Sequence, residues 1–435
     1  MFGTISVLLF FIKWTSGRFG SVRLFKNLGE NMNFKIINNG VTAPKGFKAN
    51  GYKNGKYGVG IIYSEKNCTG AGTFTTNKVV AHPVRISKEV LKNNKDKLRC
   101  IVVNSGNANC FTKNGYEDGK KMISKTAELL NIPEDSILIA STGVIGRKMP
   151  MDTILSGIEK TCSRLKESSS NYDFALSILT TDRFPKTLAL EFEVGGRKVK
   201  IGGTAKGAGM IAPNMLHATM LSFITTDIKI DPEDLKIVLQ DIVDKTFNNI
   251  VVDGDTSTND TVFILANGES GVRYEECPEL FREALHHLCR ELAKMIVMDG
   301  EGSTKIMEVV VKGCASKEDA IKATKSIVRS LLVKTSLYGG DPNWGRIAAA
   351  VGYSGVEMDM NVMDIVISDY KREIYLVKDG DPIDEESEEF KVAEEIMKND
   401  KIKIVVDLKM GDYENTSYGC DLTHDYVTLN SEYTT

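Results

Sequence analysis

Lys206-Gly-Ala-Gly-Met-Ile-Ala-Pro-Asn-Met-Leu-His-Ala-Thr-Met-Leu-Ser-Phe-Ile-Thr-Thr-Asp227 lies at the middle of the 435-residue chain. Gly207, Gly209, Pro213 and Asn214 supply turns and unusual backbone angles, so the first half is predicted to be a constrained loop. Met220 to Thr226 is apolar and β-prone and is predicted to be a buried strand. Where the two halves meet, Ala218 is followed by Thr219, a small residue before a hydroxyl, and there a chain can cut itself. The Thr219 hydroxyl would attack the Ala218 carbonyl, form an ester and lose it to water. The new N-terminal Thr then carries an α-amine beside its own hydroxyl, and that amine can serve as its base. Taken alone, the same residues also fit a glycine-rich loop entering a core strand, and that plainer reading is the commoner one.

Working outward, 435 residues suffice for a large core and suggest two or three domains. Hydrophobic content of 42% and charged content of 26% are those of an ordinary globular chain. A formal net charge of −3, with no extended basic block, makes nucleic acid and anionic membranes poor partners. Eight cysteines are scattered with no Cys-x-x-Cys, which argues against a zinc site and for a reducing compartment; no metal is expected. His286 and His287 fall in an amphipathic helix and are expected to be solvated or capping. Residues 1–31 differ from the rest: Ile5 to Ile12 is apolar but far shorter than the roughly 20 residues of a membrane span. Lys13, Arg18, Arg23 and Lys26 follow it with no acid before Glu30. Two readings stay open, an organellar transit segment directing the chain to the mitochondrial matrix, or an upstream misassigned start with Met32 as the true one. The second, cytoplasmic reading is favoured.

From Phe34 the patterning interleaves strands and helices, as in an α/β fold. Short β-rich segments are expected at 40–47, Val59 to Tyr63 and Gly72 to Thr76. Helices are expected at Lys88 to Asn94, Tyr116 to Leu130, Asp152 to Leu165, Pro232 to Phe247 (with Asp231 as N-cap), Glu279 to Met298, Lys317 to Leu332 (capped by Ser316) and Glu385 to Met397. Ile101 to Val103 and Ile137 to Ile139 read as buried strands that run into the polar turns Asn104 to Asn109 and Ser141 to Gly146, where backbone amides can face a site. Ile250 to Val252 is a strand entering the acidic loop Asp253 to Asp260, whose spacing is not that of a calcium loop. Met307 to Val311, Ile402 to Leu408 and Tyr426 to Leu429 complete the expected strands.

The central Lys-Gly-Ala-Gly-Met-Ile-x-Pro-Asn-Met, with Ala-Thr-Met-Leu and Phe-Ile-Thr-Thr-Asp, resembles the self-cleaving centre of the ornithine acetyltransferase / glutamate N-acetyltransferase family of arginine biosynthesis. Further motifs agree in order: Gly-Val-Thr-Ala-Pro-Lys-Gly-Phe at 40, Val-Asn-Ser-Gly-Asn-Ala-Asn at 103, Ser-Thr-Gly-Val-Ile-Gly at 141, Thr-Thr-Asp-x-Phe-Pro-Lys at 180, Asp-Gly-Asp-Thr-Ser-Thr-Asn-Asp at 253, Asp-Pro-Asn-Trp-Gly-Arg at 341 and the tail Gly-Cys-Asp-Leu-Thr-x-Asp-Tyr-Val. Relative to the usual motif, Leu216 and His217 are inserted between Met215 and Ala218, lengthening the loop before the cut. The resemblance implies a layered α/β sandwich of N-terminal-nucleophile type, cleaved between Ala218 and Thr219 into an alpha chain (32–218) and a beta chain (219–435) that stay associated, usually as a heterotetramer. It implies Thr219 as nucleophile, Thr142 and Gly143 as the oxyanion hole, and Thr180, Lys206, Thr219, Glu301, Asn430 and Thr435 as substrate contacts. The implied reaction moves an acetyl group from N-acetylornithine to glutamate with no bound cofactor. Some members also take the acetyl group from acetyl-CoA, and the sequence leaves both modes open. Two alternatives stand beside it: an N-terminal-nucleophile aminopeptidase or amidase, and an uncleaved, non-enzymatic homologue.

Overall fold

The computed structural model describes residues 33–212 and 220–432. The expectations for residues 1–31, for the Leu216-His217 insertion, for the Ala218-Thr219 bond and for Thr435 fall outside them. Two mixed β-sheets and the helices around them form the fold. The first sheet has nine strands. Its path runs Lys35–Ile37, Lys186–Val194, Arg197–Lys206, Leu221–Thr226, Thr261–Ala266, Tyr57–Phe74, Leu98–Asn107, Ile137–Val144, with Phe47–Asn54 also paired to Tyr57–Phe74. The second has seven: Asp381–Pro382, Glu373–Lys378, Asp364–Ser368, Lys401–Asp407, Ile306–Cys314, Tyr413–Cys420, Ile250–Val251.

Strand Tyr57–Phe74 joins the two halves of the first sheet. Its first part pairs with Phe47–Asn54 and Leu98–Asn107; the register then shifts between Tyr63 and Cys68, and its last part pairs with Thr261–Ala266. The sequence pattern suggested two short strands here. They are one, because the segment between them stays in the sheet: past the shift, Cys68 pairs with Leu98 and Thr69 onward pairs with Thr261–Ala266. Leu221–Thr226 is buried at all six positions and runs parallel to Thr261–Ala266, as near-continuous apolar strands do when both faces are covered. On one face of it the Phe223 ring meets those of Phe174 and Phe263, with centroids 5.6 and 6.3 Å away.

Helix Pro278–Met298 is buried along most of its length, from Phe281 to Val297. It packs on strands Lys186–Val194 and Arg197–Lys206 of the first sheet and on Tyr413–Cys420 of the second, and so cements the two sheets. His287 is buried against Phe34, with ring centroids 5.1 Å apart. His287 is therefore not solvated as expected, while His286 is half-buried, and burial pushes its imidazole down to about 4.

Four further expectations change. Residues 40–47 form a 3-10 turn at Gly40–Thr42 before a strand that starts at Phe47. The helix expected over 317–332 divides into Lys317–Arg329 and Leu331–Gly339, because Ser330 turns extended and its hydroxyl caps the second helix at Val333. Asp231 stands at the N-cap of Pro232–Lys245 without a side-chain bond to the helix. Tyr426 to Leu429 is helical, part of His424–Glu432, although its alternating pattern suggested a strand. The Thr423 hydroxyl seals that helix's start by bonding the Gly302 carbonyl at 2.7 Å, a tertiary contact that overrides local propensity.

Candidate active site

Three chain segments end at one place. Strand Ile137–Val144 delivers Thr142 and Gly143, the loop after helix Asn171–Ser177 delivers Thr180 and Asp182, and strand Arg197–Lys206 ends at Lys206. Gly143 has a left-handed φ of +128°, and a Cβ there would lie 2.4 Å from the Gly106 carbonyl carbon, so only glycine lets the two parallel strands close at this point. Thr142 is buried while Gly143 is exposed. The Lys206 ammonium donates to the Thr180 hydroxyl at 2.9 Å and to the Thr142 hydroxyl at 3.2 Å. Its nearest carboxylate among the described residues is Asp182, at 3.6 Å, too long for a good hydrogen bond. Lys206 is paired across the sheet with Leu221, two residues after Thr219 in the chain.

Glu301 and Asn430 meet at a second point. The Asn430 amide donates to Glu301 at 2.9 Å, and the Glu301 backbone N–H bonds the Ala208 carbonyl at 2.9 Å. A Cβ on Gly209 would sit 2.4 Å from the Glu301 carboxyl carbon, so any side chain there would displace the acid from the loop. Glu301 is thereby tied to the stretch Lys206 to Ile211, and Asn430 reaches it from the C-terminal helix. Sequence reasoning named all five of these described side chains, Thr142, Thr180, Lys206, Glu301 and Asn430, and the fold brings the first three together directly and joins the last two to each other.

Other residues that hold the site were missed. Asp182 is fully buried and accepts from the Lys186 ammonium (2.7 Å), the Gly207 amide (2.7 Å) and the Thr180 amide (3.1 Å). Burial alone would push its carboxyl up, but Lys186 and Lys206 outweigh that and hold it well below the usual carboxylate range. Lys186, also fully buried, bonds Asp299 at 2.6 Å as well. Both Asp182 and Lys186 belong to the Thr-Thr-Asp-x-Phe-Pro-Lys motif, which was the available signal. The acidic loop likewise has a use. Asp253 accepts the Met210 and Ile211 amides at 2.6 and 2.9 Å, and Val252 donates to the Ile211 carbonyl at 2.7 Å. On the far side of the undescribed stretch, Thr261 donates its amide to the Met220 carbonyl at 3.0 Å. Asp253 is thus an anchor for loop amides, and burial pushes its carboxyl up.

A cation, two hydroxyls and an exposed glycine backbone at the end of a parallel strand pair, with a carboxylate on the adjoining loop, form the kind of pocket that holds a small zwitterion and stabilises an oxyanion. The chain belongs to the ArgJ family, matched over residues 45–435. It is 67% identical over 402 residues to a glutamate N-acetyltransferase of Methanocaldococcus jannaschii, covering 92% of this chain and all of that one. It is 43% identical over 410 residues to the arginine biosynthesis bifunctional protein ArgJ of Oceanobacillus iheyensis, covering 92% of this chain and 98% of that one. A crystal structure of the arginine biosynthesis bifunctional protein argJ from Bacillus halodurans is 43% identical, covers 49% of this chain and all of that chain, and superposes with a TM-score of 0.46. No helix among the described residues is long and apolar enough to cross a membrane.

Proposed function

We propose that the pocket carries out acetyl transfer through an acetyl-Thr219 enzyme. The chain is a glutamate N-acetyltransferase of arginine biosynthesis, by its family and by its identity to enzymes of that activity. An uncleaved, non-enzymatic role is therefore set aside. In the proposed cycle, self-cleavage at Ala218-Thr219 frees the Thr219 amine, which takes the hydroxyl proton as the oxygen attacks the acetyl carbonyl of N-acetylornithine. The oxyanion is met by the Thr142 hydroxyl and the Gly143 amide; the C–N bond then breaks and the proton passes to the departing ornithine amine. Glutamate's amine attacks the acetyl ester in turn and restores the Thr219 hydroxyl. Lys206 and Thr180 hold the substrate carboxylate, Glu301 with Asn430 holds the ornithine side-chain ammonium, and Thr435 completes the pocket. Acetyl-CoA enters the same scheme as a second acetyl donor. The cleaved chains assemble as a heterotetramer in the cytoplasm.

The observation that carries this reading is the convergence of Lys206, Thr142 and Thr180 at the strand end where Lys206 faces Leu221. An aminopeptidase or amidase would pass the acyl group to water, and the Glu301–Asn430 pair on the adjoining loop supports a donor that carries a side-chain ammonium, as N-acetylornithine does. The test is mass spectrometry of the protein held with N-acetylornithine alone, which should add one acetyl group to the fragment that begins Thr-Met-Leu-Ser. Parallel initial-rate plots for acetylornithine and glutamate should accompany it. Intersecting plots with no acetylated fragment would mean direct transfer between two bound substrates and would remove Thr219 as nucleophile. The same incubation with acetyl-CoA alone reads whether it is a donor.

A further inference from the structure

Lys186 is a fully buried lysine that the scheme above does not use. Its three N–H donors are all occupied, by the Asp182 carboxylate at 2.7 Å, the Asp299 carboxylate at 2.6 Å and the Phe184 carbonyl at 3.2 Å. Asp299 in turn takes the backbone amide and side chain of Arg183 and stands two residues before Glu301. Asp182 takes Lys186 much more closely than Lys206, at 2.7 against 3.6 Å, although both ammoniums are buried beside it. A carboxylate already neutralised by one lysine has little attraction left for a second. Lys206 is accordingly turned to two neutral hydroxyls.

The charges agree with this. Among the described residues, Lys186 pairs with Asp182 at 2.7 Å, and the half-exposed Arg183 shares Asp299 with Lys186, so the buried Lys206 is left with its nearest carboxylate at 3.6 Å. A buried ammonium without a close counter-ion is costly, and an anion from outside relieves that cost.

We propose that Lys186 is a positioning residue for substrate binding: by saturating Asp182 and joining it to Asp299, it keeps Lys206 from closing onto Asp182 and leaves its charge to the substrate carboxylate. The inference rests on the assignment of Lys206 to that carboxylate. Without Lys186, Asp182 and Lys206 become, among the described residues, each other's only partners of opposite charge in contact, and the 3.6 Å gap closes into an ion pair. The carboxylate of the ligand then competes with an internal one.

The test compares L-ornithine with 1,4-diaminobutane, which keeps the side-chain ammonium and lacks the carboxylate, by calorimetric titration of the purified protein. K206M reads the underlying assignment: it should abolish the preference for ornithine over the diamine, and a preference kept in K206M would refute that assignment. K186M should weaken ornithine about tenfold or more, the size of one charge-assisted contact, and leave the diamine within about twofold. K186M also strands a buried carboxylate, so the charge-balanced pair K186M/D299N carries the same expectation with its fold protected. K186M/D182N removes the competitor for Lys206 and should bring ornithine back to within about threefold of wild type. Equal losses for both ligands, or wild-type ornithine affinity in K186M/D299N, with K206M behaving as stated, would overturn the role of Lys186 alone.

Discussion

Thr142 is asked to do two things, and a substitution can separate them. Its hydroxyl accepts from Lys206 at 3.2 Å, and it precedes a glycine whose φ of +128° exposes the backbone. In Thr142→Val the shape survives and the hydroxyl is lost. If it is an oxyanion donor, turnover should fall by roughly a hundredfold or more, with a smaller change in ornithine affinity because Thr180 still holds Lys206. Steady-state kinetics beside calorimetry check this, and an equal loss in both quantities would assign the hydroxyl to binding. At the same scale, the Thr219 α-amine must be neutral to act as base. An unperturbed α-amine titrates at about 8, so activity should rise with pH through that region or somewhat below it. A pH–rate profile flat from 6 to 9 would exclude the amine.

Among the elements, helix His424–Glu432 carries Asn430 to Glu301 although none of its side chains is buried. It is held at its start, where the Thr423 hydroxyl bonds the Gly302 carbonyl. Chain ends without such ties fray. Deleting residues 431–435 removes the end beyond Asn430, and the Michaelis constant for acetylornithine should rise while folding is untouched; unchanged kinetics would make the tail ordinary. Helix Pro278–Met298 makes a different prediction. Burial, with Arg290, Lys245 and His287 nearby and Asp241 opposing them, pushes His286 down to about 4. The unfolded chain takes up that proton below about 6.5 and the folded helix does not. Stability is therefore undiminished above about 6.5 and falls as the pH drops toward 4. In His286→Gln the decline of melting temperature over that window should be shallower than in wild type.

For the whole molecule, the proposed cut does not divide the fold. Strand Arg197–Lys206, from the first piece, is paired with Leu221–Thr226 of the second, and Tyr57–Phe74 is paired with Thr261–Ala266. Asp253 and Val252 hold Met210 and Ile211 across the same boundary. Pieces of 218 and 217 residues (435 − 218), or a shorter first piece if Met32 is the start, should thus appear on a denaturing gel yet co-elute from a sizing column without any disulfide. All eight cysteines are free and buried, so reductant should change nothing. A single full-length band from active protein would refute the cleavage.

The sequence by itself determined the α/β class, most helices and the strands at Ile101 and Ile137, and motif resemblance named Thr142, Thr180, Lys206, Glu301 and Asn430 as candidate site residues. These are legible because apolar periodicity, glycine-rich turns and short motifs are local properties of a chain. What only the tertiary structure decided are facts about partners far apart in sequence. The single strand Tyr57–Phe74 depends on its pairing with Leu98 and with Thr261–Ala266, and the C-terminal helix on Gly302. Lys186 and Asp253 could not be told from surface charges or a metal loop until the fold brought Asp299 and the Met210 and Ile211 amides to them. A buried charge is stable only beside its counter-charge or a hydrogen-bond donor, and the sequence names the charge without saying which distant group folding will place against it.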